Sequence, residues 1–104
     1  MSKKSEALMA TLLGSNKEMV SVIHSAFDET PRVVAMVEVN KSASFIKKCE
    51  VAFVKTNTIN DAWWRNEGVT PMFPENGCRS TSVGDMVLIG TEKYKCDPMG
   101  WSLI

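Results

Sequence analysis

At 104 residues the chain has the length of a single domain, 1–104, with one hydrophobic core and little spare volume for a deep cofactor pocket, so no cofactor is expected. Twelve basic and twelve acidic side chains cancel to a formal charge of zero; no global field draws the chain to phosphate backbones or anionic lipid, and weak colloidal repulsion leaves self-association open. No apolar run approaches the ~20 residues of a membrane helix, the stretch from Ala7 to Leu13 is too short and polar for a signal peptide, and Cys49, Cys78 and Cys96, odd in number and without Cys-x-x-Cys spacing, read as free thiols in a reducing cytoplasm.

From Ser5 to Phe27, Leu8, Leu12, Met19, Ile23 and Phe27 recur at helical spacing, which predicts a helix. Gly14, followed by a capping box of Ser15 and Glu18, is the point at which it either runs on as one helix or restarts as a second. Pro31 ends it by biasing Thr30 toward an extended conformation. Arg32 to Val39 is a valine-rich alternating run and the first predicted strand. A second extended run, roughly Phe45 to Thr56, alternates Cys49, Val51 and Phe53 with Glu50, Ala52 and Val54; it is expected to pair antiparallel with the first, with a short helix over Ser42 to Lys48 as the alternative.

Asn57 to Arg79 then turns to Asn, Gly, Pro and large aromatics without a period, and reads as a long structured connection with one helical turn at Asp61 to Asn66. Met86 to Ile89 is a strand, Gly90 to Glu92 a hairpin turn and Lys93 to Cys96 the returning strand. Asp97 to Gly100 turns the chain so that Trp101 and Leu103 fold back on the core. The expected fold class is α+β, an N-terminal helix or helix pair packed on a small, mainly antiparallel sheet of about four strands.

Thr56-Asn57-Thr58-Ile59, the run from Arg79 to Val87, Tyr94, and the closing Gly100-Trp101-Ser102-Leu103 together resemble the YodL-like domain found in proteins of bacteriophages and mobile elements. The resemblance spans roughly residues 56–103 and is most specific between Arg79 and Val87. It implies a viral or mobile-element origin and action inside a bacterial host, and brings no catalytic residues with it.

Two constellations are candidate binding sites. Trp63, Trp64 and Arg65, with Phe73 further along the same loop, set adjacent aromatics beside a cation, a pattern that stacks on bases or anchors a protein interface. Adjacent indoles on a helical turn point about 100° apart, so one is expected to be buried and the other exposed or interfacial. Arg79, Ser80, Thr81, Ser82 and Asp85 invite comparison with the arginine and Ser-Thr-Ser elements of ADP-ribosyltransferases. Their contiguity, and the absence of a following Glu-x-Glu, fit better with hydroxyls capping a turn and Arg79 pairing with Asp85.

His24, the only histidine, reads as a packed side chain with no nucleophile beside it in sequence. His24 with the three cysteines has zinc-ligand types but not the spacing of a zinc module, and no metal is expected. Lys3-Lys4 and Lys47-Lys48, flanked by acids, read as solvated surface. The leading expectation is an accessory protein, more readily a binding module than an enzyme, that contacts a host or viral protein, with nucleic acid a weaker alternative and no membrane. Two other readings compete: a nucleotide-handling or transferase-like enzyme using Arg79, Ser82 and Asp85, and a structural homo-oligomer.

Overall fold

The computed structural model describes residues 16–57 and 62–104. In chain order these form strands β1 (Lys17–His24) and β2 (Arg32–Asn40), helix α1 (Phe45–Thr56), a 3-10 turn (Trp63–Arg65), and strands β3 (Val69–Pro71), β4 (Met86–Ile89), β5 (Glu92–Asp97) and β6 (Gly100–Leu103). The six strands make one sheet in the order β3-β2-β1-β4-β5-β6, and every neighbouring pair is antiparallel.

This overturns the expected helix or helix pair on about four strands. Residues 17–24, placed in the second helix by the spacing of Met19, Ile23 and Phe27, are strand β1 instead. Its β-branched residues suit a pleated surface: Val20 and Val22 alternate as buried positions, and past a bulge between Val22 and Ile23 both Ile23 and His24 are buried. Phe27, the last residue of the supposed helical stripe, is 76% exposed. The remainder of that expected helix, up to Ser15, lies outside the described residues.

The second correction concerns Phe45 to Thr56, which is a helix and not the strand partner of β2. Ser44 caps it, its hydroxyl accepting from the Lys47 amide at 3.1 Å. Helical spacing then buries Lys48, Cys49, Ala52 and Thr56. The alternating pattern of Cys49, Val51 and Phe53 was compatible with a strand, but Val51 and Phe53 are only half-buried. Strand β2 pairs with β1 on one side and β3 on the other.

Strands β2, β4 and β5, the turn between β4 and β5, and a helical turn within 61–66 fall where the sequence places them. Of the two C-terminal residues expected on the core, Trp101 packs edge-on against Phe53 with ring centroids 6.1 Å apart, whereas Leu103 stays 59% exposed.

Helix α1 covers one face of the sheet. Val20, Val22, Ala35, Val37, Val39, Val87 and Tyr94 meet Cys49 and Ala52 there. Lys48 departs from the expected solvated surface: it is buried and ion-paired to Glu18 of β1 beneath the helix. Burial of the same interface pushes the Cys49 thiol up to about 11, with Cys96 nearby adding to the effect. All three cysteines are free.

Candidate functional site

The candidate residues fall into two layers at one end of the sheet. The outer layer is the connection from α1 to β4. Trp63 is its anchor, 1% exposed, with its indole N–H shared between the carbonyls of Cys78 at 3.1 Å and Arg79 at 3.0 Å. That bifurcated bond ties the 3-10 turn to the strap leading into β4 and satisfies the polar atom that burial would otherwise strand. Trp64 and Phe73 pack edge-to-face on Trp63 and on each other, with centroids 5.5–5.6 Å apart, and both remain half-buried. Arg65 is exposed, and Met72, next to Phe73, is 53% exposed. Trp63 is thus the buried indole, while Trp64 is half-buried against the core rather than fully exposed.

Local bonds hold this loop in place. Asn66 donates from its side chain to the Lys55 carbonyl at 2.7 Å, and Lys55 Nζ donates to the Glu67 carbonyl at 3.0 Å, so the segment leaving the turn is tied to the last turn of α1. Arg32 at the start of β2 is ion-paired to Glu75 at 2.8 Å. Gly77 approaches Trp64 so closely that a Cβ there would lie 3.2 Å from the indole.

The inner layer is a polar cluster centred on Asp85, which is completely buried. Its carboxylate accepts from the backbone amides of Ser25 (2.8 Å), Ala26 (2.9 Å) and Ser82 (2.8 Å), and from both terminal nitrogens of Arg79 (2.7 and 2.8 Å). Burial alone would raise the Asp85 pKa, but the Arg79 bonds and the three amides outweigh it and hold the carboxyl at about 2. The same pairing raises the Arg79 pKa, and Arg79 reaches on to Asp28 at 3.0 Å while its guanidinium lies 4.9 Å from the Phe27 ring centroid. Arg79 also donates to the Ser80 carbonyl at 3.1 Å. Ser82 closes the turn, its carbonyl accepting from the Asp85 amide at 3.0 Å. Gly84 sits at φ +96°, where a Cβ would come within 2.9 Å of Ala26 Cβ, so only glycine lets the two loops meet this closely.

Arg79, Ser82 and Asp85 are thus brought together, but as a clamp between the β1–β2 loop and the turn before β4. The bidentate Arg79–Asp85 pair leaves neither group free to grip a dinucleotide. Thr81, one residue along the strap, donates its amide to the Thr56 carbonyl at 2.9 Å, and Asn57 donates from its side chain to the Thr81 carbonyl, so the strap also caps the end of α1.

One juxtaposition was invisible in sequence. His24 Nδ1 lies 3.6 Å from Cys78 Sγ, and its Nε2 lies 3.0 Å from Thr81 Oγ1 and 3.9 Å from Asp85 Oδ2, with Trp63 over the ring. Cys78, Thr81 and Asp85 lie 54 or more positions beyond His24, and no local motif connects them to it. Burial lowers the His24 pKa against the pull of Asp85, and burial raises that of Cys78. The contact is therefore a neutral thiol–imidazole hydrogen bond, not the thiolate–imidazolium pair of an activated nucleophile.

The sign of the His24 shift gives a stability prediction. A histidine whose folded pKa lies below its unfolded value of 6.5 contributes stability that is complete above pH 6.5 and is lost as pH falls toward the lowered folded value. Denaturant unfolding followed between neutral pH and pH 5 should show a declining free energy, and His24→Gln should flatten that slope. An unchanged slope in the variant would assign the dependence to other groups.

Among the described residues no three His, Cys, Asp or Glu side chains gather in a geometry that could hold a metal ion, and no helix is long and apolar enough to cross a membrane. Compared with models of protein families, with curated proteins and with solved structures, the chain finds no match.

Proposed function

We propose that this chain is a binding module that contacts a protein partner through the aromatic surface at the β3 end of the sheet, made by Trp64, Arg65, Met72 and Phe73. The observation that carries this reading is the division of labour between the neighbouring indoles. Trp63 is sealed and hydrogen-bonded, so the loop is pinned; Trp64 and Phe73 are thereby held half-exposed on a rigid base, beside an exposed cation. Pre-ordered aromatics flanked by arginine are the composition of interface hot spots, because little conformational entropy is lost when they are covered. A formal charge of zero favours a protein over a nucleic acid as the partner.

The resemblance of residues 56–103 to the YodL-like domain supports a host or viral protein inside a bacterial cell as that partner, for an accessory protein of a bacteriophage or mobile element. The competing nucleotide-handling reading loses support from the Arg79–Asp85 geometry, since its two principal groups are already bonded to each other.

The test is the double variant Trp64→Ala, Arg65→Ala. Both side chains lie outside the sealed core, so the melting temperature should move by only a few degrees, while capture of a partner from host lysate should be lost. Capture at the wild-type level would remove the loop from the account.

A further inference from the structure

The two edges of the sheet differ in how they are guarded. Strand β3 spans only Val69–Pro71, and Pro71 cannot donate to a further strand. Strand β6, Gly100–Leu103, carries no proline and no charged residue, and on its outer side no described strand pairs with it.

Its register shows which groups face outward. The Ile104 amide donates to the Lys93 carbonyl at 2.9 Å, so the antiparallel alternation turns positions 100, 102 and 104 toward β5. The amides and carbonyls of Trp101 and Leu103 therefore point away from the sheet. Trp101 pairs with Cys96 and Leu103 with Tyr94, both core-facing, so the two side chains lie on the helix-covered face. Beside them lies a groove of about 280 Å³ whose walls include Phe53, Val54, Pro98 and Trp101. Val54, in its wall, is 68% exposed, and Leu103, two residues along β6 from Trp101, is 59% exposed.

We infer that β6 is a homodimer edge, occupied by β6 of a second copy running antiparallel about a two-fold axis at Ser102. The motif is self-complementary in that register. Trp101 of one copy and Leu103 of the other are both outward-bonding positions, and each meets its counterpart twice, giving about four backbone hydrogen bonds in a continuous sheet. Leu103 of each copy then lies next to Trp101 of the other at the mouth of the groove, an aromatic–aliphatic cross-strand pair. The zero formal charge opposes the association with no net repulsion. This surface lies at the opposite edge from the aromatic loop, and neither reading depends on the other.

The experiment uses the whole chain as its own probe. Light scattering from low micromolar to millimolar concentration should show a monomer passing to a dimer, and hydrogen exchange should show the Trp101 and Leu103 amides becoming protected as the dimer forms. Leu103→Pro deletes only an outward amide and should stay monomeric; Leu103→Glu, which keeps that amide but brings a carboxylate to the groove that Glu50 and Asp97 help to line, should weaken the dimer if the proline variant does not fold. A chain that is monomeric throughout, a dimer in which those two amides exchange as in the monomer, or a folded Leu103→Pro that dimerises like the wild type would each overturn the inference.

Discussion

Asp85→Ala should cost about 3–5 kcal/mol of folding free energy, the range for breaking a buried, fully bonded charge network by removing one partner. The carboxylate is the acceptor for three backbone amides and for the Arg79 fork. Without it those amides are left unpaired beneath the strap, each at about 1–3 kcal/mol, partly relieved where water can enter. Arg79→Lys should be milder, because Asp85 keeps its amide donors and Arg79, 29% exposed, already borders solvent. The pH dependence has a definite sign. A carboxyl held at about 2 when folded and at 3.8 when unfolded contributes stability present above roughly pH 4 and lost as the pH falls toward 2. Urea midpoints between pH 5 and pH 2 check this, and the acid loss should be absent from Asp85→Ala. This loss sets in near pH 4, whereas that assigned to His24 sets in below pH 6.5.

Trp63→Ala should have a comparable effect for a different reason. The side chain is the largest of the fully buried ones, and it touches His24, Trp64 and Phe73 as well as bonding to two carbonyls. Truncating a buried tryptophan opens a cavity and costs about 3–5 kcal/mol. In a domain of this size that is a melting-temperature drop of more than about 10 °C. The same change removes the base on which Trp64 and Phe73 rest, so partner capture should fail even at temperatures where the fold persists. Trp63→Phe should recover most of the packing but not the bonds to Cys78 and Arg79. Thermal melts of the three proteins check the order: wild type highest, Trp63→Phe intermediate, Trp63→Ala lowest.

What could be read from the residues follows from how local each signal is. Arg32 to Val39 and Met86 to Ile89 are β-branched runs whose alternation or brevity suits a strand, and they are strands. Phe45 to Thr56 carries two periods at once: Cys49, Val51 and Phe53 fit an alternation of two, while Cys49, Ala52 and Thr56 fit one of 3.6. The deciding signal is Ser44, a helix cap three residues before Lys47. In β1 the spacing of Met19 and Ile23 mimics a helix, yet the buried set is Val20, Val22, Ile23 and His24, fixed by pairing with β2 and β4.

The site divides in the same way. Arg79 and Asp85 are six residues apart, near enough for their pairing to be anticipated. The asymmetry of Trp63 and Trp64 follows from their adjacency. The approach of Cys78 and Thr81 to His24 is set by the topology that brings the strap across the end of β1, and no short window of sequence contains it.

The proposed contact surface is tested most directly by cross-linking with competition. A photo-reactive phenylalanine analogue at position 64 should yield a discrete adduct in bacterial lysate. Excess unlabelled wild-type chain should abolish that adduct, and excess Trp64→Ala, Arg65→Ala chain should leave it intact. If the double variant competes as well as the wild type, the proposed contact through the aromatic loop is contradicted.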